Sequence, residues 1–374
     1  MAGDVELQEV RTPKDLEAFI RFPWQVYRGD RNWVPPILSE RRDYLTPARN
    51  PALRDADVAL FLARRRGRVV GTIAATVPRG LAGAQGVFGF FETVDDEAVA
   101  AALLDGARAW LQAHGARLMR GPLNFTDMES PGVLVEGADC PPVMLTAHTP
   151  LYYASLLERY GMEVDDDLYA WRAFRSQVGE HLEAVPVEVH RAAEVAESHG
   201  VVVRTVRLER WDDEVALARF LFNETLSHLP QHVPVSEADF RRFADPMRRI
   251  LDPELALFAE CEGRTVGFCV SLPDINQALI HLNGHLFPVG WLRLMWYARR
   301  IDVLSFKLMG VLPEFRFRGV EALLFVSSLR AMIAKGYRWL DGSLTSERNP
   351  MVNLLASRLG AERYKHYRVY RMAL

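Results

Sequence analysis

A change of hydrophobic period within residues 304–325 constrains the fold more than any other feature of this chain. Leu304, Phe306 and Leu308 alternate along the sequence, which predicts a strand, and Pro313 ends it because proline cannot donate to a ladder. Farther on, apolar residues recur every three or four positions, which predicts one face of a helix. These residues are Leu323, Val326, Leu329 and Ile333. The stretch therefore predicts a strand, a short turn and a helix.

The turn itself carries Arg316, Arg318 and Gly319. Glycine lets a ligand approach the backbone, and the first N–H groups of a helix are unpaired and lie at the positive end of its dipole. Two arginines beside such a helix start favour a phosphate group. An ordinary strand-to-helix turn explains the same residues without a ligand, and the local pattern leaves both interpretations open.

Length and composition indicate the class of protein. A chain of 374 residues exceeds the usual size of one domain, so we expect two. A net charge of -3 gives no general reason to expect a nucleic-acid partner. Cys140, Cys261 and Cys269 lack the spacing of a disulfide framework or a zinc site. We therefore expect no bound metal, and we expect a reducing, cytoplasmic location. Neither a signal peptide nor a membrane span is recognisable.

The order of predicted elements occurs twice, which indicates an internal duplication. Each copy begins with a strand and a helix, continues with a glycine-turned hairpin, and ends in alternating strands and helices. We place the copies at residues 1–175 and 176–374. The predicted fold is α/β (α+β), with a mixed, mostly antiparallel, twisted sheet flanked by helices in each copy. In the first copy, Asp95 and Asp96 stand where the second has its arginine turn, and they would repel a phosphate.

The arginine turn resembles the acyl-CoA-binding motif of the GNAT superfamily of N-acyltransferases, Q/R-x-x-G-x-G/A. Arg316 and Gly319 match this pattern, whereas Glu321 stands in place of its second small residue. A second stretch, NPMVNLLASRLGAE, resembles another GNAT motif through Asn349 and Gly360. The family often has a tyrosine four residues before that glycine, and here Ala356 holds the position.

Several longer phrases, among them FPWQVYRGDRNWVPP and GVLPEFRFRG, resemble a bacterial branch of tandem GNAT proteins. That branch contains acetyltransferases and is similar to bacterial ceramide synthases. The resemblance implies a degenerate first domain and a second domain that binds acyl-CoA (acetyl-CoA or longer) as co-substrate.

The resemblance also implies where the site residues lie. Arg316, Arg318, Gly319 and Asn349 belong to the two CoA motifs, and Met309, Gly310 and Val311 would offer backbone groups to pantetheine and the thioester oxygen. An amine acceptor must lose a proton, so a base is needed. We select Tyr364, His366 and Glu347 as catalytic candidates because they lie near the second motif. Further candidates are His228, His232 and Asp274, in segments beside the expected acceptor cleft, and Tyr367, which follows the helix of the second motif.

An insertion at residues 275–303 departs from the repeated order. Its central part, 286–300, is strongly apolar and aromatic and then carries arginines at 299 and 300. It is too short to span a bilayer. It could lie in a membrane interface as an amphipathic helix, line an acyl or lipid channel, or pack on the first copy as core, and the sequence leaves these three open.

The sequence thus predicts an acyl-CoA-dependent N-acyltransferase whose acceptor is a small or lipid-like amine. The alternative is a non-catalytic module that binds CoA or a lipid, which the departures at Glu321 and Ala356 favour. A transferase that uses aminoacyl-tRNA would need a basic groove, which the charge balance does not indicate. If the protein contacts the inner face of a membrane, residues 286–300 would make that contact. The sequence leaves the oligomeric state open.

Overall fold

The protein is built on a single sheet whose thirteen strands, among the described residues, continue from one half of the chain into the other. The computed structural model describes residues 5–50, 53, 56–79, 85–125, 130–227, 234–248 and 251–374. The strands are β1 (Glu6–Glu9), β2 (Ala56–Arg65), β3 (Arg68–Pro78), β4 (Gln85–Thr93), β5 (Leu118–Gly121), β6 (Val133–Glu136), β7 (Glu163–Phe174), β8 (Val201–Thr205), β9 (Ala256–Cys261), β10 (Arg264–Pro273), β11 (Val303–Val311), β12 (Trp339–Ser346) and β13 (Glu362–Ala373).

Helices cover both faces of this sheet. They are α1 (Pro13–Arg21), α2 (Pro23–Val26), α3 (Leu38–Tyr44), α4 (Glu97–Ala113), α5 (Tyr152–Arg159), α6 (Arg175–Val178), α7 (Val187–Ser198), α8 (Trp211–Leu226), α9 (Glu237–Met247), α10 (Asn276–Leu279), α11 (Gly290–Ala298), α12 (Val320–Ala334) and α13 (Pro350–Arg358). Among the described residues, no helix is long and apolar enough to cross a bilayer.

Alternate residues of each strand face opposite helical layers, as the pleat requires. In the N-terminal half, Phe61 and Ile73 pack with α4, whereas Leu62 and Ala74 pack with α1 and α3. In the C-terminal half, α7 and α12 cover one face and α8 and α9 cover the other. The predicted α/β class with a mostly antiparallel sheet is therefore confirmed.

The two halves exchange strands at the centre of the sheet. The strand order is β1-β2-β3-β4-β5-β13-β7-β12-β11-β10-β9-β8, and β6 pairs with β13. The last strand of the chain, β13, thus completes the N-terminal half, while β7 pairs with β12 of the C-terminal half. The domain boundary at residue 175 stays a prediction, and strands from its two sides are interleaved.

Most predicted elements are confirmed, including both hairpins and the strand–turn–helix that becomes β11 and α12. The helix expected at the start of the first copy is divided into α1 and α2, because Pro23 has no N–H with which to continue α1. The chain just after residue 174 forms α6 and α7, and α7 packs against α12.

Candidate active site

Strands β11 and β12 run parallel but pair only at their beginnings. The pairs are Val303–Trp339, Leu304–Leu340 and Ser305–Asp341. Farther along, β11 remains paired to β10 and β12 to β7. The two strands therefore diverge into a wedge, which we call the splay. Its vertex is the Ser305–Asp341 pair.

A buried polar cluster lies at the vertex. Asp341 has no exposed surface, and its Oδ2 accepts hydrogen bonds from the hydroxyls of Ser305 and Ser343, both at 2.5 Å. Its Oδ1 accepts one from the Tyr364 hydroxyl at 2.8 Å. The Lys307 ammonium lies 3.6 Å from Oδ2. We call these five residues the vertex cluster. It joins three strands, β11, β12 and β13.

A β-bulge positions Lys307 within this cluster. Opposite β10, Leu308 pairs with Val270 and Phe306 pairs with Ser271, so Lys307 is an extra residue on β11. Bulges of this kind re-aim a side chain and often occur beside active sites. The lysine side chain is only 6% exposed.

Burial changes the proton affinities of the cluster. Desolvation lowers the pKa of Lys307 below its usual value, although the charges of Asp341 and Asp274 oppose that shift. Desolvation raises the pKa of Tyr364 well above its ordinary value, and the neighbouring Asp341 charge adds to the shift. The phenol therefore stays protonated across the physiological pH range.

Asp274, at the end of β10, is a second buried carboxylate near the vertex. Desolvation raises its pKa to about 7, with opposing contributions from the Met144 N–H and the charge of Lys307. Its Oδ1 accepts a hydrogen bond from the Met144 N–H at 2.8 Å, which brings a loop of the N-terminal half to this point. Its own N–H donates to Val303 of β11 at 2.9 Å. A carboxyl group with such a pKa is suited to proton transfer near neutral pH.

The CoA-motif residues of β11 lie past the vertex. Met309, Gly310 and Val311 pair with β10 on one side and, being beyond Ser305, have no β12 partner on the other. They therefore line the splay. A methyl group on Gly310 would meet the Thr225 hydroxyl at 2.6 Å, so contact with α8 by itself favours glycine here.

The arginine turn is braced against the protein. The Arg316 guanidinium donates to the backbone carbonyls of Thr225 at 2.5 Å and Val311 at 3.3 Å. Gly319 has φ +86°, and a Cβ there would lie 1.9 Å from the Ala192 carbonyl oxygen of α7. Packing on α7 and α8 thus accounts for both residues without a ligand, and a phosphate contact by Arg316 stays a prediction.

The start of α12 remains available to an anion. Gly319 is its N-cap and supplies no side-chain hydrogen bond, so the first N–H groups depend on other partners. Arg318 is exposed, and its guanidinium carbon lies 5.5 Å from the centre of the Phe315 ring. Glu321 lies in the first helical turn and is half-buried. Arg318 and the helix end are therefore the groups best placed for a phosphate.

The other candidates are spread over different places. Asn349 caps α13 by accepting from the Val352 N–H, which is a structural role. Glu347 is exposed. The His366 Nε2 lies 2.8 Å from an Asp167 oxygen, in a separate contact between β13 and β7. Tyr364 is the one catalytic candidate that the fold brings into the vertex cluster. His228 and His232 lie outside the described residues.

Comparison with known proteins places this arrangement in a family. No protein-family model matches the chain. A bacterial ceramide synthase from Caulobacter vibrioides is 34% identical over 383 residues, which cover 100% of this chain and 98% of that protein. Protein YghO of Escherichia coli is 34% identical over 370 residues, or 95% of this chain and 92% of its own length. The chain belongs to the family of these two proteins.

Solved structures show which fold this family has. A tandem GNAT protein from the clavulanic acid biosynthesis pathway superposes with a TM-score of 0.58, at 13% identity, over 99% of this chain and 98% of its own. A GCN5-related N-acetyltransferase from Sphaerobacter thermophilus gives a TM-score of 0.54, at 14% identity, over 99% of this chain and 95% of its own. The predicted tandem GNAT fold is thereby confirmed.

The N-terminal half of this tandem GNAT fold closes the corresponding wedge. Strands β4 and β5 also pair at three positions, the last being Val87 with Arg120. Beyond it, the chain after β5 stays on the edge of β4: the Leu123 N–H donates to the Phe88 carbonyl at 2.7 Å, and the Asn124 side chain accepts from the Phe90 N–H at 2.9 Å. The protein's own backbone thus occupies the position that is open in the C-terminal half.

The helices that follow β4 and β11, which are α4 and α12, differ in the same sense. Asp96 caps α4 by accepting from the Val99 N–H, and it pairs with Arg65 at 2.7 Å. A carboxylate therefore already occupies the anion position that Gly319 leaves available on α12. The prediction of an acidic, CoA-incompatible helix start agrees with this geometry.

Sequence reasoning missed most of the vertex cluster. Ser305, Lys307, Asp341 and Ser343 were not selected, because a single polar residue in a strand usually faces solvent. A usable signal existed: Asp341 lies inside the apolar strand WLDGSL, where an acidic residue requires a buried partner.

Proposed function

We propose that this chain is an N-acyltransferase that moves an acyl group from acyl-CoA to the amino group of a lipid-like acceptor. The observation that carries the proposal is the open splay with a buried lysine, aspartate and tyrosine at its vertex. The family relationship supports acyl transfer, since one relative is named a ceramide synthase. Catalysis rather than binding alone is favoured by the strongly shifted proton affinities at one point of the fold.

The residues present fit acyl-CoA. Met309, Gly310 and Val311 offer backbone beside the splay, and the uncapped start of α12 with exposed Arg318 offers donors and positive charge for phosphate. Acyl-CoA supplies an activated thioester. The chain's part is to hold that thioester at the vertex beside Lys307, whose ammonium would stabilise negative charge on the carbonyl oxygen.

Two proton transfers complete the reaction. As the C–N bond forms and the C–S bond breaks, the amine nitrogen loses one proton and the thiolate gains one. Tyr364 is protonated, and its hydroxyl can turn from Asp341 to donate to the thiolate. Asp274, with its pKa of about 7, is suited to accept the amine proton. Asp341 positions Tyr364 and balances the Lys307 charge.

A small apolar cavity of about 70 Å³ next to the vertex would take a short hydrocarbon segment of the acyl chain or of the acceptor. It lies between α8, α9 and the sheet, and Glu214 is the one charged residue among its described lining residues. Leu308, adjacent to Lys307 in sequence, and Leu272, opposite Ser305, form its wall nearest the vertex cluster. Trp211 and Phe240 form part of the far wall. Such a lining favours hydrocarbon over a polar amine.

The test is amide formation by the purified full chain from palmitoyl-CoA and a long-chain amino alcohol, followed by mass spectrometry and by release of free thiol. Tyr364→Phe should lower kcat by about 10²- to 10³-fold with little change in KM for the acyl-CoA. Tyr370→Phe is the matched control on the same strand, because its hydroxyl bonds Glu158 away from the vertex. Equal activity of both variants, or no thiol release with any chain length, would refute the proposal.

The pH profile separates the two proton-transfer residues. Asp274 accepts a proton only when ionised, so kcat/KM should rise with pH through about 7. Asp274→Asn keeps an oxygen for the Met144 N–H, and it should lower the rate and remove this rise. A profile unchanged in shape would exclude Asp274 as the base.

A second candidate function is a non-catalytic protein that binds acyl-CoA or lipid. The favouring observation is the hydrogen bonding of Arg316 to backbone carbonyls, which withdraws it from a phosphate. Calorimetric binding of long-chain acyl-CoA without turnover of any amine would support this candidate.

A further inference from the structure

Helix α11, in the insertion, exposes an unusual number of large apolar side chains. Trp291, Leu292, Met295 and Trp296 are between 43% and 51% exposed, and Phe287, just before the helix, is 74% exposed. Val289 adds a further exposed apolar side chain at 55%. A group of this size at one place on a protein indicates an interaction surface. We call these six residues the α11 surface.

The base of the insertion is firmly held, so the exposure is not that of a loose segment. The Trp24 indole donates to Asn283 at 2.9 Å, and the Leu38 N–H donates to the Gly284 carbonyl at 2.9 Å. Within the insertion, the His281 and Tyr297 rings stack with centroids 3.7 Å apart. The start of the insertion therefore packs on the N-terminal half, as one of the open interpretations expected, while α11 holds its apolar side chains outward.

The charges around this surface indicate what it contacts. Residues 286–300 contain Arg293, Arg299 and Arg300, all exposed, and neither aspartate nor glutamate. The Arg300 guanidinium lies 3.5 Å from the centre of the Trp296 ring, so cation and aromatic group share one site. In helices that lie in a membrane interface, tryptophans typically lie at the depth of the lipid headgroups and arginines contact the lipid phosphates.

We propose that the α11 surface docks the protein on an anionic lipid bilayer. The helix has nine residues, so it lies in the interface and does not cross it. Its apolar side chains enter the boundary between headgroups and acyl chains, and its arginines contact lipid phosphates. A protein partner would also cover apolar residues, but the one-sided positive charge favours a surface of phosphate groups.

The position of α11 gives docking a consequence for the proposed function, on which this step rests. The insertion begins directly after Asp274 and ends two residues before Ser305. At about 3.3 Å per strand residue, the vertex lies within about 10 Å of the end of the insertion along β11. Docking of the insertion would therefore present the vertex end of the splay, and not its open end, to a lipid amine or a long acyl chain.

The experiment is flotation of the full chain with vesicles of phosphatidylcholine, with and without phosphatidylglycerol. We expect binding to the anionic vesicles that weakens at high salt. Trp291→Ser combined with Trp296→Ser should reduce binding at least tenfold, and each of Arg293→Glu and Arg299→Glu by roughly fivefold or more. The matched control is Leu151→Ser with Val202→Ser, two exposed apolar residues elsewhere, which should bind as the native chain does.

Two results would overturn docking. One is equal binding by the α11 and control variants. The other is the absence of vesicle binding together with self-association that the tryptophan variants abolish, which would make the α11 surface a protein interface. Turnover of detergent-dispersed substrates is measured in parallel. Turnover by a native chain that does not bind the anionic vesicles counts against this inference alone, whereas vesicle binding without turnover by the native chain counts against the proposed function alone.

Discussion

The two halves of the sheet contain the same pair of parallel strands, but only one pair stays open. In the N-terminal half the last pair is Val87–Arg120, and the chain that follows remains on the edge of β4. In the C-terminal half the last pair is Ser305–Asp341, and polar side chains occupy the vertex. The two halves therefore differ in which groups lie between the parallel strands beyond their last pair.

Backbone groups inside a protein need partners, and the two halves meet this need differently. The N-terminal wedge is closed by Leu123 and Asn124, so it requires no ligand. The C-terminal wedge instead contains a buried carboxylate and a lysine, whose desolvation is costly unless the charges are paired and hydrogen-bonded, as they are in the vertex cluster. A duplicated fold can thus keep its architecture while the two copies fill the space between the same pair of strands with different groups.

The first prediction concerns removal of the carboxylate from the vertex cluster. Asp341→Ala leaves Lys307 buried without its closest carboxylate, so we expect the free energy of unfolding to fall by about 3–5 kcal/mol and acyl transfer to stop. Adding Lys307→Met should recover much of the stability but none of the activity. Urea unfolding of the single and double variants measures this coupling.

The corresponding variant of the N-terminal half is the control. Arg120 pairs with Asp165 at 2.5 Å, and the two side chains retain 19% and 12% exposure, so Arg120→Ala should cost less and leave acyl transfer intact. Strictly additive losses for Asp341→Ala and Lys307→Met would show that the two charges are not coupled.

Local sequence patterns were enough to predict most elements, and the resemblance of two motifs and several phrases predicted the tandem GNAT fold, but neither specified the interleaving of the halves. The apolar period of α12 and the turn glycines of the hairpins are encoded within a few residues. The position of β13 between β5 and β7 depends on pairing between distant segments, since Glu362 pairs with Arg172 and Tyr370 pairs with Gly121. No local pattern specifies such a partner.

The site was less predictable for a related reason. Tyr364 was selected because it follows a GNAT motif, whereas Lys307 was not, because its position in the alternation matched an ordinary strand residue. Only the bulge opposite Ser271 directs it to the vertex, and bulges have no reliable sequence signal. The closing segment of the N-terminal half was likewise interpreted as a polar loop, since its hydrogen bonds to β4 are tertiary.

The second prediction tests the closed wedge. A Cβ on Gly89 would lie 1.9 Å from the Leu123 carbonyl oxygen, so Gly89→Ala must displace backbone and should cost about 1–3 kcal/mol of unfolding free energy. Gly86→Ala, on the same strand, meets side chains and no backbone, namely the end of Leu111 at 2.5 Å and the Ala116 Cβ at 3.1 Å, and should cost less. Urea unfolding measures both.

Acyl-CoA binding should be unchanged in both glycine variants, since we place the binding site in the other half. A second calorimetric binding event in Gly89→Ala would sharpen the comparison, because it would mean that the closing segment alone blocks the N-terminal wedge. Equal stability of Gly89→Ala and the native chain would contradict the close packing of Leu123 on β4.

The third prediction concerns the two helix starts and has the smallest expected effect. Asp96→Ala removes the N-cap of α4 and should cost about 1 kcal/mol at neutral pH. The hydrogen bond from Arg65 is the largest cause that lowers the pKa of Asp96 below its ordinary value. A carboxyl group with a lowered folded pKa stabilises the protein above its unfolded pKa of about 4, and this contribution is lost as the pH falls through the folded value. The thermal midpoints of the native chain and the variant should therefore differ at pH 7 and converge in strong acid.

The control is Asp95→Ala, because Asp95 is exposed and lies outside the cap, and this variant should keep the midpoint of the native chain at both pH values. A difference for Asp96→Ala that persists in strong acid would mean that the Asp96 charge does not act through Arg65 and the helix start. Even with the cap removed, we expect no acyl-CoA site on α4, because Leu123 and Asn124 still close the wedge beside it.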